Sequence, residues 1–226
     1  MMWSQDRLAK ERKRMVERQL KGRGIESPEV LEAMGEIPRE AFLPPSRASQ
    51  AYRDQALPLS EGQTLSQPYM VAVMTEALLL EPSDRVLEVG TGSGYQTAVL
   101  ARIAEEVFTV ERIQALADRA RENLEALDIH HVHFRIGDGT LGWPEEAPFQ
   151  AILVTAGAPR VPPSLANQLD PEGGRLVIPV GDRFTQELTR VTRRGEDYGS
   201  EPLLSCRFVP LLGAEGWESS ETDLTI

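Results

Sequence analysis

The stretch Val86-Leu87-Glu88-Val89-Gly90-Thr91-Gly92-Ser93-Gly94 decides the fold of this chain. Val86 to Val89 reads as a buried strand. Gly90, Gly92 and Gly94 then make a tight turn that lets a ligand come close to the main chain. Thr97-Ala98-Val99-Leu100-Ala101 follows as an apolar, helix-compatible run, and the free N–H groups at the start of such a helix point back at the turn. Strand, glycine turn and helix in that order predict a nucleotide-type site at the carboxyl end of a parallel strand.

Spacing and charge narrow the nucleotide. A dinucleotide fingerprint would place its third glycine where Tyr95 stands, but that glycine comes one residue early, at Gly94. Glu88 lies two residues before the turn. At an effective dielectric near 20, unit charges ~5 Å apart interact by ~3 kcal/mol, so a carboxylate there repels a pyrophosphate and attracts a cation. S-adenosylmethionine, with a sulfonium and an ammonium against one carboxylate, has the right sign, and NAD does not.

The next strands add acceptors. Glu106 to Val110 is a short β-branched and aromatic run ending in Glu111, seventeen residues after Gly94. A ribose-binding carboxylate sits ~20 residues beyond such a turn, and one carboxylate accepts both hydroxyls of a diol. Pairing with Arg112, or capping of the helix starting at Ile113, is the alternative. Val132 to Ile136 runs into Gly137-Asp138-Gly139, where Asp138 is either an acceptor for an adenine amino group or an ordinary turn residue.

At 226 residues and 25.1 kDa the chain is one ample domain, or one domain with an appendage. Its single cysteine, Cys206, excludes an intramolecular disulfide framework and fits a reducing compartment. With no membrane-length apolar run and no secretory leader, a cytoplasmic protein is expected. The net charge of −11 argues against nucleic acid as a partner. A basic block from Arg7 to Arg23 carries Leu8, Met15, Val16 and Leu20 at near-helical spacing, and reads as a solvated amphipathic helix. Beyond Gly213 the acidic tail, with Glu215, Glu218, Glu221 and Asp223, is expected to be disordered or loosely packed.

Ser27-Pro28-Glu29 caps and opens a second helix, and a proline-rich passage spans Pro38 to Pro45. The aperiodic stretch from Tyr52 to Pro68 is long for a loop, which marks it as functional or disordered. Ser66 is the expected N-cap of an apolar helix, Tyr69 to Leu80. From Asp84 onward strands alternate with helices, predicting a parallel sheet covered on both faces. A continuously apolar strand, Ala151 to Val154, ends in small residues, and Arg175 to Ile178 is the next. Leu188 to Val191 and Leu203 to Leu211 read as an antiparallel edge pair. Ligands bind outside the carboxyl ends of such strands, so Glu88, Gly90, Glu111, Asp138 and Thr155 share one rim.

Several segments, in order, resemble the protein-L-isoaspartate O-methyltransferase family: Gly62 to Pro68, Leu87 to Ala98, Val110 to Arg112, Gly137 to Gly139, Ile152 to Pro159 and Gly174 to Gly181. The likeness covers about residues 50 to 212. The glycine turn is common to many methyltransferases, whereas Gln63-Thr64-Leu65-Ser66-Gln67-Pro68 is far more particular to this family. Departures are Gly157, where members often carry alanine, and Glu172, inserted before Gly173-Gly174.

The resemblance implies a Rossmann-like class I methyltransferase fold, an α/β architecture with a mostly parallel seven-stranded sheet, helices on both faces and an N-terminal helical extension. It divides the chain into a helical segment and active-site loop (1–82), a methyltransferase core (83–212) and the acidic tail (213–226). It implies methyl transfer from S-adenosylmethionine to the free α-carboxylate of L-isoaspartyl residues in damaged proteins and peptides, by a monomer and without a metal. Ser66 is the implied active-site residue. Thr64, Gln67, Glu88, Gly90, Thr91, Gly92, Ser93, Gly94, Glu111, Arg112, Asp138 and Gly139 are the implied cofactor contacts. Thr155, Ala156, Gly157 and Ala158 are the implied substrate contacts beside Ser66. A carboxylate is already ionised at neutral pH and needs no general base, which fits the lack of a His–Asp or Cys–His pair. His130, His131 and His133 read as structural. A small-molecule O-methyltransferase of the same fold is the alternative. An NAD-linked module is disfavoured by Glu88 and Gly94, and base methylation by the lack of an Asn-Pro-Pro-Tyr-like element.

Overall fold

The computed structural model describes residues 4–218. Two short strands, β1 (Leu57–Pro58) and β2 (Thr64–Leu65), pair as a hairpin inside the long aperiodic stretch. The main sheet has seven strands: β3 (Arg85–Val89), β4 (Glu106–Glu111), β5 (Val132–Ile136), β6 (Ala151–Val154), β7 (Glu172–Gly181), β8 (Gln186–Arg194) and β9 (Asp197–Cys206). Their spatial order is β5-β4-β3-β6-β7-β8-β9. Every pair from β5 to β7 is parallel, and β8 and β9 close the sheet as an antiparallel meander. This is the Rossmann-like arrangement expected, with β3 and β6 at the point where the strand order reverses.

Largely apolar segments of β3, β4, β6 and β7 put alternate side chains on opposite faces. Leu87, Val89, Phe108, Ile152, Val154 and Leu176 form one core. Val86, Val107, Leu153 and Val177 form the other, against Met74 and Leu100. Met74 comes from α3 (Pro68–Ala77) and Leu100 from α4 (Tyr95–Ala101), while α6 (Pro163–Asn167) covers the opposite face with Leu165. α4 is buried along its whole length. That explains an apolar run without the polar stripe of a surface helix.

The N-terminal basic helix divides. α1 (Gln5–Met15) passes into a π-helical turn, Val16–Leu20, and a 3₁₀ turn, Lys21–Arg23. Met15 and Leu20 are both fully buried, and i→i+5 bonding brings residues five apart onto one face. α2 (Pro28–Glu36) is capped by Ser27, whose hydroxyl accepts from Val30 N at 3.2 Å. α5 (Gln114–Glu125) lies between β4 and β5.

Three expectations are corrected. α3 is capped at Gln67 without a side-chain bond, so Ser66 is not its N-cap. β9 ends at Cys206, because the apolar residues after it leave the sheet and pack over its rim, with Pro210 bridging to Gly157. The first part of the acidic tail is packed: Glu215 accepts from Ser164 N and Oγ at 2.9 and 2.7 Å, and Trp217 Nε1 donates to Gly157 O at 3.0 Å. Glu221 and Asp223 lie outside the described residues.

Candidate active site

The cleft lies where β3, β4 and β6 end. Gly90 turns the chain with φ +96°, a conformation glycine adopts without strain. Thr155, just past β6, locks that turn, its hydroxyl lying 3.0 Å from Val89 O and 2.8 Å from Gly90 O. There is no room for a larger residue: a Cβ at Gly90 would lie 2.3 Å from Thr155 Oγ1. Thr91 is pinned from below, its hydroxyl 2.6 Å from that of Thr109. Glu111 holds the turn from the side. Its carboxylate accepts from Gly92 N at 3.0 Å and from Ile113 N at 2.9 Å, so it serves both glycine turn and helix entry.

Of the candidates, Gly90, Thr91, Gly92 and Ser93 line the floor, and Glu111, Arg112 and Gly139 line one side. Thr64, Ser66, Thr155 and Ala156 also face the cleft. The Ser66 hydroxyl makes no hydrogen bond among the described residues, while its carbonyl accepts from Arg39 Nη2 at 2.6 Å.

The remaining candidates sit elsewhere. Glu88 is fully buried beneath the turn, where Oε2 accepts from Thr97 Oγ1 and Thr109 Oγ1 at 2.6 and 2.7 Å. Burial pushes its carboxyl up to about 8, against the pull of those hydroxyls and aided by nearby Glu111. The expected direct attraction between a Glu88 carboxylate and a cationic ligand is therefore corrected: at neutral pH the group is mostly protonated and stands behind the floor. Gln67 bonds outward, donating to Asp54 Oδ1 at 2.8 Å. Gly94 caps α4 with φ +87°.

Asp138 is occupied within the chain. Its Oδ1 accepts from Thr140 N and Oγ1, and its Oδ2 from Ala214 N at 2.7 Å. Gly157 and Ala158 are also committed. Gly157 N donates to Val209 O and its carbonyl accepts from Leu211 N, both at 2.8 Å, and Ala158 N donates to Pro179 O. The place expected for an extended substrate backbone beside Gly157 is thus filled by the chain's own residues after β9.

Sequence reasoning missed that far wall, Phe208 to Leu212, because its apolar run looked like more strand. It also missed Tyr95 and Gln96 at the head of α4, and Arg39, a lone arginine between Pro38 and Glu40 with no periodic signal. His131 and His133 bond Ala101 O and Glu106 Oε1, at the other end of the sheet from the glycine turn.

A glycine turn presenting backbone N–H groups, an acidic residue at the end of the next strand and a cleft at the switch point of a parallel sheet suit a nucleoside carrying a methyl donor. Fold and cleft together define an S-adenosylmethionine-dependent methyltransferase. The family model for protein-L-isoaspartate(D-aspartate) O-methyltransferase matches residues 10–216, and the chain belongs to that family.

Its relatives agree. A protein-L-isoaspartate O-methyltransferase of Syntrophus aciditrophicus is 54% identical over 215 residues, covering 94% of this chain and 98% of the relative. One of Pelobacter propionicus is 60% identical over 205 residues, covering 90% and 91%. A solved protein-L-isoaspartate O-methyltransferase superposes with a TM-score of 0.80 at 33% identity, over 91% of this chain and 67% of that one. A Plasmodium falciparum structure bearing the name beta-aspartate methyltransferase, in complex with S-adenosyl-L-homocysteine, gives 0.76 at 26% identity over 89% and 98%.

Proposed function

We propose that the cleft methylates the free α-carboxylate of L-isoaspartyl residues in damaged proteins and peptides, with Ser66 orienting that carboxylate. When bound, S-adenosylmethionine would supply a sulfonium-activated methyl, which passes to the carboxylate oxygen as the carbon–sulfur bond breaks and S-adenosylhomocysteine is left. Gly90 to Ser93 would offer main-chain contacts to the donor, Glu111 would accept from its ribose hydroxyls, and Arg112 and Gly139 would border its base. The substrate enters between two walls, Gly62 to Ser66 on one side and Phe208 to Leu212 on the other. No residue has to remove a proton, because the acceptor is already ionised. The residues contribute alignment and exclusion of water. In the product, the esterified carbonyl carries methoxide, a better leaving group than the oxide of a free carboxylate. The neighbouring backbone nitrogen attacks the esterified carbonyl, expels methanol and closes a succinimide, which water reopens partly to normal aspartate. The net charge of −11 favours protein over nucleic-acid substrates. Among the described residues no helix is long and apolar enough to cross a membrane, and action as a cytoplasmic monomer is part of this reading.

The observation that carries the role of Ser66 is its place in the cleft lining beside the glycine turn, with a hydroxyl uncommitted among the described residues. Ser66→Ala should lower kcat on an isoaspartyl peptide at least about tenfold, the scale of one lost charged hydrogen bond. Affinity for S-adenosylhomocysteine and the melting temperature should stay unchanged, since the hydroxyl caps no helix. Normal turnover would contradict the role.

A further inference from the structure

Arg39 is a fully buried cation, and no carboxylate pairs with it among the described residues. Its Nε donates to Ala51 O at 2.7 Å and its Nη2 to Ser66 O at 2.6 Å. The guanidinium carbon lies 4.9 Å from the centre of the Tyr95 ring. Nη1 and the Tyr95 hydroxyl are both buried outside hydrogen-bond geometry with any partner, yet the guanidinium and the Tyr95 hydroxyl are near enough to act on each other. Arg39 therefore stands directly behind Ser66 and Tyr95, two residues that line the cleft.

Burying a charge without a counter-ion is among the costlier things a fold can do. Desolvation pulls the guanidinium down to about 10, so it remains charged at neutral pH. A neutral side chain of similar length would fill the space at lower cost. The positive charge has a use at this place. A carboxylate approaching a chain of net charge −11 meets a repulsive field, and a desolvated cation behind the reacting point offsets it locally.

We infer that Arg39 is a positioning residue for methyl transfer: by gripping the carbonyls of Ala51 and Ser66 it aims the Ser66 hydroxyl into the cleft and sets a fixed positive charge behind the anionic acceptor. The inference rests on the role proposed for Ser66. Arg39 does not touch substrate: its grip on the two carbonyls acts through Ser66, and its charge acts at a distance. Arg39→Lys keeps the charge but loses the planar fork that reaches both carbonyls.

The test is a double-mutant cycle on the whole chain, because Ser66→Ala removes the hydroxyl while keeping the carbonyl that Arg39 holds. Turnover of an isoaspartyl peptide is measured for the parent, Arg39→Lys, Ser66→Ala and the double variant, with S-adenosylhomocysteine affinity and melting temperature as controls. Arg39→Lys should lower kcat about tenfold when Ser66 is present and less than about twofold when Ala replaces it, a non-additivity expected of coupled residues. Arg39→Met, which removes the charge, should in addition raise KM for the peptide. Equal losses in both backgrounds, or no loss in either, would overturn the inference and leave the function standing. A parent chain that does not methylate the peptide at all would overturn the function first.

Discussion

Glu88 and Glu111 stand on neighbouring strands and do different work, because one lies beneath the glycine turn and the other beside it. Glu111 faces the cleft and holds two backbone N–H groups. Glu111→Ala should weaken S-adenosylhomocysteine binding by ~1–3 kcal/mol in calorimetry, through loss of charged hydrogen bonds to the ligand and slackening of the turn. Unchanged affinity would remove it from the site. Glu88 speaks instead through pH. Its carboxyl titrates at about 8 in the fold against 4.5 when free. The folded chain therefore holds a proton that the unfolded chain releases, and stability from this group is complete below about 4.5 and is lost as pH rises through about 8. Glu88→Gln, which keeps shape and removes titration, should flatten the fall in unfolding free energy across that window by up to ~1.4 kcal/mol per pH unit. Parallel curves for parent and variant would contradict the buried, protonated state. The sequence displayed both acids equally well. What it could not display is depth: Thr97 and Thr109 enclose Glu88 only after α4 folds back on β3 and β4.

At the scale of elements, the glycine turn works because β6 ends in Thr155. The hydroxyl of Thr155 is the lock and the bare Cα of Gly90 the space it needs. Gly90→Ala should cost ~1–2 kcal/mol for the left-handed backbone, plus the displacement of Thr155. Adding Thr155→Ala should recover the steric part and leave the backbone part, as read from chemical denaturation of the single and double variants. Simple additivity would show that the two do not share one lock. Elements built from local pattern were legible beforehand: β3 to β7 from their apolar runs, α2 from Ser27 and Pro28, α4 from its position after the turn. Those that depend on distant partners were not. The hairpin of β1 and β2 is four residues in all, too short for a period. The end of β9, Leu203 to Cys206, runs into the wall after it as one largely apolar stretch, and contacts with Gly157 rather than a change of composition separate strand from wall.

Across the whole molecule, the cleft joins regions far apart in sequence. The sheet supplies the floor, Gly62 to Ser66 comes from before it, and Phe208 to Leu212 comes from after it. Arg39 braces the first wall, and Trp217, whose N–H donates to Leu211 O at 2.8 Å, braces the second. Under the proposed function, such a site should recognise a backbone defect better than a side-chain sequence. An isoaspartyl link adds a methylene to the main chain and leaves the α-carboxylate free on a short arm, which the proposed function would seat between the walls, whereas in normal aspartate the carboxylate hangs elsewhere relative to the backbone. The most direct measurement is incubation with labelled S-adenosylmethionine and paired peptides that differ only in that link, in several unrelated sequence contexts. The account predicts methylation of each L-isoaspartyl peptide and little of its L-aspartyl twin. Equal labelling of both, or labelling of small carboxylates alone, would contradict it.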